Sequence, residues 1–499
     1  MTSDSTDDST QDESFTDETA EQPRGRHRPR TRGGRIALGT ALSLIVIASV
    51  WAAATFYGTW SRSDGEPAQV IVATWMRDNH LGPVVAQLED LYYSYVDTPD
   101  VGGAPTLSAD ITAEDTAGLT DAVEDTVSIP ANPPQPEVTQ DAGASESRPL
   151  PLTPVARDTR TVRAPSITPS PEPQGADPNA GSNAGLSSSE PMERPHLTPP
   201  PPITSPVVTP EPKEGQWQPV ASRVDGIPAI YVTRVRADDV HTSYYASVMW
   251  IDTLLTRAVL IPGYEEPGGP NPYDGALPEE LWPDVLANVN GAFRLDDSRG
   301  GYYYEGTTVR PLVKGRASAV IYKDGSVAIG EWGRDLRMTP EVSVVRQNLD
   351  LIVDGGISQV SNGADNVVWG ATTDKESLAW RAALGERADG SLVYVGSPYL
   401  SAESLADVLV GAGVERAIVL DMNNWWTAGF YFRHDKNGSP LCRKLDPAIQ
   451  ENCDRFLRPY KRDSFQFLAR RDPAPGLTGQ TSAIPSDAAS LPDQPSTTP

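Results

Sequence analysis

The sequence predicts a mixed α/β domain of the α+β kind, set outside a membrane behind one spanning helix and a proline-rich linker. Three observations predict it. A run of 25 residues near the N-terminus carries no charge. A long stretch after it is crowded with proline and shows no helical or strand period. Over the next ~255 residues, β-branched and aromatic segments alternate with turn signals, enough chain to bury a substantial core.

The 499 residues include 47 Pro and carry a net charge of −26. Between Lys213 and Arg471 there are 28 basic and 34 acidic residues, so most of the negative charge lies on the flanks. Acidic, low-aromatic flanks cannot bury enough apolar surface to offset chain entropy, and they are expected to stay solvated. An anionic chain without a long basic face repels phosphate backbones, which excludes a nucleic-acid-binding role.

Residues 1–35 read as a cytoplasmic tail. Met1 to Glu21 holds eight acidic residues and no basic one, and Arg24 to Arg35 then holds six arginines. Ile36 to Trp60 is the uncharged run, roughly 37 Å as a helix, against a hydrocarbon layer of about 30 Å. Its length and the long segment before it fit an anchor better than a cleaved signal peptide. The arginines precede the helix and only Arg62 follows closely, so the positive-inside rule keeps the N-terminus cytoplasmic and puts the rest outside the cell, as in a single-pass protein of the cell membrane. Trp51, Tyr57 and Trp60 suit an outer aromatic belt, with Trp51 rather deep for it.

Residues 61–96 predict a helical stalk. Leu81, Val84, Val85, Leu88, Leu91, Tyr92 and Tyr95 recur at three- and four-residue spacing, with Pro83 in the first turn. The apolar face needs a partner: the bilayer surface, the folded domain or a second copy, and the sequence does not fix the oligomeric state. Residues 97–212 read as a disordered Pro/Ser/Thr-rich spacer leaning to polyproline II, and 472–499 as a tail of the same character.

In the folded region, 213–471, Ala229 to Val235 reads as a strand. Ala317 to Tyr322 and Ser326 to Trp332 form a hairpin around Lys323-Asp324-Gly325, where Gly supplies a positive φ. Arg387-Ala388-Asp389-Gly390 turns into a strand from Ser391 to Gly396. Ser401 caps a helix with Leu405, Val408 and Leu409 on one face, stopped by Gly411 and Gly413. Arg416 to Asp421 is read as the last apolar strand, ending in a carboxylate. Strand, helix and strand predict a βαβ unit, whose ligand sites favour strand carboxyl ends, so Asp421 is the carboxylate of most interest.

No pair among the five histidines has metal-ligand spacing, and no phosphate loop or nucleophile elbow occurs. Acidic residues are plentiful enough to ligate a divalent cation such as calcium, but no loop has helix-loop-helix calcium spacing. Cys442 and Cys453 favour a disulfide in an oxidising compartment, with two free structural thiols as the alternative.

Asn290-Gly291-Ala292-Phe293, the Lys323-Asp324-Gly325 hairpin, Arg381-Ala382-Ala383-Leu384-Gly385 and Leu420-Asp421 follow one another in an order that resembles the phosphodiester glycosidase family, over about Val289 to Phe432. In place of the family's Leu-Asp-Gly-Gly-Gly-Ser this chain has Leu420-Asp421-Met422-Asn423-Asn424-Trp425. Three glycines let backbone N–H groups approach a ligand, and Met, Asn and Trp do so less freely. The resemblance implies hydrolysis of a sugar-1-phosphodiester. Asp421 would act on the sugar or on water, Arg381 would hold the phosphate, and Asn290 would bond sugar or phosphate. Gly291 would allow close approach, and Asp354 would be a second carboxylate. Phe293, Asn423, Asn424 and Trp425 would line the substrate, an envelope glycan or sugar phosphate.

Each residue also has a plainer role: Asp as a cap, Arg in an ion pair, Asn-Gly as a turn. Trp425, Trp426, Phe430, Tyr431 and Phe432 form either a sugar-stacking platform or a core strand, and Tyr302 to Tyr304 invite the same two readings. The functions that follow are an anchored extracellular hydrolase, a silent glycan-binding relative, or an envelope scaffold. The Ala/Arg/Pro richness and envelope setting suggest a bacterium.

Overall fold

A computed structural model describes residues 32–63, 66–95, 101–111, 194–360, 366–369 and 378–471. The acidic tail and the C-terminal tail expected from the sequence lie outside these residues. The chain divides into two compact units, 1–82 and 83–499.

In the first unit, α1 spans Arg32–Ser61 and α2 spans Ala68–Asp78. From Ser43 to Ser61, α1 is long and apolar enough to cross a membrane. Helix α2 follows Pro67 and stops at Asn79 and the left-handed His80 (φ 63°). The two helices pack together: the Trp75 indole N–H donates to Thr55 Oγ1 at 3.0 Å, and its ring meets Phe56 edge-on, centroids 5.8 Å apart.

Helix α3, Gly82–Tyr95, forms over the segment whose apolar spacing predicts a helix, with Pro83 in its first turn. Val85 is buried, whereas Leu81, Val84, Leu88, Leu91 and Tyr92 are exposed.

The β-rich domain has three antiparallel sheets. Its strands are β1 (Gln218–Val224), β2 (Ile227–Val235), β3 (Ala246–Ile251), β4 (Thr256–Ile261), β5 (Val285–Asn290), β6 (Tyr302–Tyr304), β7 (Thr307–Arg310), β8 (Ala317–Tyr322) and β9 (Val327–Glu331). They continue with β10 (Val342–Gln347), β11 (Leu351–Asp354), β12 (Ile357–Ser358), β13 (Ala379–Arg387), β14 (Leu392–Leu400), β15 (Val414–Val419), β16 (Gly429–His434), β17 (Pro440–Lys444) and β18 (Ser464–Ala469). One sheet has eight strands in the order β1-β2-β3-β14-β13-β15-β11-β12; the other two have five each, β7-β6-β10-β8-β9 and β17-β16-β5-β18-β4.

The eight-stranded sheet is covered on both faces, so its central strands are apolar at successive positions rather than alternating. On β3, Met249 and Ile251 enter a core shared with Phe430, Val289 and Phe465 of a five-stranded sheet. Val248 and Trp250 face the other way, onto Leu405, Val408 and Leu409 of α4 (Ala402–Gly411). Ser401 caps α4 through a capping box with Ser404, and Gly413 takes the left-handed conformation after it (φ 77°).

The expected hairpins form. Gly325 (φ 79°) turns β8 into β9, and Gly390 (φ 81°) turns β13 into β14. The expected βαβ unit is corrected in one respect. Strands β14 and β15 flank β13, each antiparallel to it, so the crossover through α4 joins parallel strands that are not neighbours. Nor is β15 the last strand: β16, β17 and β18 follow, because the segments after the aromatic cluster return to pair with β5 and β4. Cys442 and Cys453 are disulfide-bonded. Phe430 and Phe432 are core residues of β16, and Tyr302 and Tyr304 are core residues of β6.

Two parts of the segment read as a disordered spacer lie against this domain. Gln218 holds residues 109–111, donating to Ala109 O and accepting from Ile111 N, and Lys213 pairs with Asp110 at 2.6 Å. Ile203 is buried in the core beneath α4, and Glu214, buried with Arg236, accepts from Ser205 Oγ at 2.6 Å. These segments need no repeating period, because their few buried apolar residues are set by fixed hydrogen bonds to the sheet.

Candidate functional site

The site lies where the three sheets meet. Strand β15 ends at Val419, and Leu420 N–H still bonds Ala382 O of β13 at 2.8 Å. Asp421 therefore stands just beyond the strand, at the start of a loop that runs to Ala428 and re-enters β16.

Gly291, one residue past β5, joins the sheets. Its carbonyl accepts from Asp421 N at 3.0 Å, and its N–H donates to Asp463 O at 2.8 Å. Asp421 and Asp463 thus flank one glycine. Each carboxylate is held by a different arginine: Asp421 Oδ2 by the Arg462 guanidinium, and Asp463 Oδ2 by Arg346 Nε of β10 at 2.8 Å. Both pairs are almost wholly out of solvent, where an ion pair persists only with good geometry and further hydrogen bonds. Arg346 meets that condition through Gln347 O at 3.2 Å and the Phe293 carbonyl.

Burial opposes the charge on Arg462, but Asp421, Glu266 and Asp463 around it hold its pKa above the ordinary value. Its guanidinium and the Lys461 ammonium each lie 5.2 Å from the Trp426 ring centroid. A desolvated cation over an indole is a favourable arrangement. The loop itself is built of turns: Asn423 N bonds Asp421 Oδ1 at 3.2 Å, Trp425 N bonds Asn423 Oδ1 at 2.9 Å, and Thr427 Oγ1 bonds Asp421 O at 2.9 Å.

Most of the residues singled out from sequence converge here. Asn290 is buried, and the fold uses both ends of its amide. Nδ2 donates to Gly291 O (3.0 Å) and Asp421 O (3.4 Å), while Oδ1 accepts from Tyr394 OH (2.8 Å) and Ala428 N (3.1 Å). It pins the Asp421 loop to β5 and β14. Arg381 is buried, with Nε on Leu400 O at 2.8 Å and Nη1 lying 3.9 Å from Met422 Sδ, so the loop's own methionine covers it. Phe293, Asn424 and Trp425 are half-buried around the loop.

Asp354 is not brought to the site. It pairs in register with Arg416 at the opposite end of β15, five residues before Asp421, about 16 Å along a strand. There it joins Arg334 (2.7 Å) and Arg416 (3.6 Å). The antiparallel course of β11 is the reason, since its carboxyl end lies beside the amino end of β15.

Arg346, Arg462 and Asp463 escaped the sequence reading. The one local signal is the triplet Lys461-Arg462-Asp463 directly before the apolar β18. Among the described residues, Asp463 Oδ1 and the Tyr302 hydroxyl are buried without a hydrogen-bond partner. Tyr302 lies under Arg346, and burial, with the Asp463 charge next, pushes its pKa up. A buried donor and acceptor both left open fit an ordered water. No group of three or more His, Cys, Asp or Glu residues able to hold a metal ion occurs among the described residues.

No family model and no curated protein matches the chain. Among solved structures it is similar to the zebrafish N-acetylglucosamine-1-phosphodiester alpha-N-acetylglucosaminidase catalytic domain auto-inhibited by its pro-peptide (16% identity, TM-score 0.34, 51% of this chain and 88% of that one). It is also similar to a hypothetical protein from Synechocystis (11% identity, TM-score 0.31, 51% of this chain and 64% of that one). A third is a putative exported protein from Burkholderia pseudomallei (12% identity, TM-score 0.24, 45% of this chain and 74% of that one).

Proposed function

We propose that the domain is a hydrolase of sugar phosphodiesters, cleaving glycosyl-1-phosphate linkages in bacterial envelope glycans. The observation that carries this reading is the Asp421–Arg462 pair at the sheet junction, with Asp463 on the far side of Gly291. Breaking such a linkage builds positive charge at the sugar's anomeric carbon and leaves a phosphate. A carboxylate stabilises the first or activates water, and a guanidinium holds the second. Asp421 takes the first role. Arg462 takes the second, with Arg381 behind Met422. Asn290 and Gly291 position the loop, and Phe293, Asn423, Asn424 and Trp425 border the substrate.

In this reading the chain is a single-pass membrane protein with a cytoplasmic N-terminus and an external domain. The arginine cluster before α1 supports the orientation, and the disulfide supports an oxidising compartment. A second reading, a silent glycan binder, is favoured by one observation: Met422 packs on Arg381 where the family's motif carries glycine.

Incubating the detergent-solubilised full chain with a panel of sugar-1-phosphodiesters, with and without calcium, separates the two. Free sugar released by the wild type and not by a folded Asp421→Asn form supports the hydrolase. Glycan binding without release by the folded wild type supports the binder.

A further inference from the structure

The uncharged run of α1 is longer than a bilayer needs, and the packing of α2 says which part of it is surplus. Trp75, the eighth residue of α2, reaches Thr55 and Phe56, six and five residues before the end of α1. The chain therefore reverses between Ser61 and Ala68, and α2 runs back along the last two turns of α1. Arg77 and Asp78, at the far end of α2, lie farther back along α1 than Trp75 does.

We infer that the membrane boundary lies near Thr55, and that the final two turns of α1 stand clear of the hydrocarbon as a helical hairpin with α2 in the headgroup and water layers. The inference rests on the anchor reading above. If the hydrocarbon extended to Trp60, Arg77 and Asp78 would be drawn well into it, which charged side chains resist strongly; with the boundary near Thr55 they lie within about one helical turn of it, a depth from which long or charged side chains reach back to the headgroups. With the boundary near Thr55, residues 36–54 span about 28 Å, close to the hydrocarbon thickness of about 30 Å. Trp51 then lies about one helical turn below the boundary, shallower than it would be with the boundary at Trp60 and nearer the level that suits an amphipathic ring. The polar Thr55, Thr59 and Ser61 all fall above the boundary. Leu44, Ile45, Val46, Ile47 and Val50 fall below it, and their exposed side chains face lipid. The partner of this surface is the bilayer, and its upper limit is set by α2.

Single cysteines test the boundary, because the two native cysteines are bonded to each other and give no background. A side chain added at Gly58 meets nothing within 4 Å, so Gly58→Cys leaves the hairpin intact. Gly58→Cys, Ile47→Cys as the buried control and Ser63→Cys as the aqueous control are made in the full chain. Each is treated with a membrane-impermeant maleimide in membranes opened by freeze–thaw, so that both faces are reached. Labelling of Gly58→Cys within a few-fold of Ser63→Cys, with Ile47→Cys protected until detergent is added, is the expected result. Protection of Gly58→Cys to the level of Ile47→Cys, with Ser63→Cys labelled, overturns the boundary and leaves the anchor standing. Equal labelling of all three before detergent overturns the anchor and the boundary together.

Discussion

The Asp463 carboxylate occupies the space that a side chain on Gly291 would need: a Cβ there would stand 2.3 Å from Asp463 Oδ1 and 2.4 Å from its Cγ. Asp463 cannot swing aside cheaply, because it is fully buried and tied to Arg346. Gly291→Ala is expected to cost about 2–3 kcal/mol by overpacking. It should also lower hydrolysis if the two carboxylates work as a pair. Urea unfolding and sugar release check the two effects separately.

Removing one partner of the buried Arg346–Asp463 pair should hurt more than removing both. Asp463→Asn leaves a guanidinium uncompensated and is expected to cost about 3–5 kcal/mol, whereas Arg346→Met with Asp463→Leu should recover much of that loss. A double-mutant cycle in denaturant measures the difference.

Glu386 of β13 accepts a hydrogen bond from Ile329 N of β9 at 2.7 Å and so ties two sheets together at the end remote from the site. Burial pushes its carboxyl up to about 7 from the ordinary 4.5, against the pull of the Ile329 N–H and the Arg416 charge. The folded state holds this proton more tightly than the unfolded chain does. Its contribution to stability is therefore full below about 4.5 and is lost as pH rises through about 7. Unfolding free energy should fall by about 1–3 kcal/mol across that window on account of this group, and Glu386→Gln should flatten the slope. Chemical denaturation at stepped pH reads it out.

The Cys442–Cys453 bond closes a loop with a sequence separation of 11. Loop entropy for that length gives a stabilisation of about 2–3 kcal/mol. Cys442→Ser with Cys453→Ser should lower the melting temperature, and a reducing agent should do the same to the wild type but not to the double variant.

Local chemistry was readable in the sequence, and long-range pairing was not. The Gly325 and Gly390 turns and the Ser401 cap each depend on residues within a few positions, and the cysteine pair on residues 11 apart; each formed as expected. The same local logic placed Asp421 after a strand. It went astray with Asp354, whose place is set by the antiparallel register of β11 on β15, a fact that no window around residue 354 contains. Asp463 and Arg346 are 117 positions apart, and only the fold, which brings the residue before β18 against Arg346 of β10, pairs them. The buried parts of the presumed spacer were missed for a related reason: Ile203 and Ile111 are single apolar residues, and a lone residue carries no period.

The docking of residues 101–111 and 194–212 changes what the long proline-rich stretch does mechanically. Both 101–111 and 194–212 are fixed to the same β-rich domain, so the stretch is not a single free spacer from end to end. What reads in the sequence as a spacer is, at residues 101–111 and 194–212, part of the domain's own packed surface.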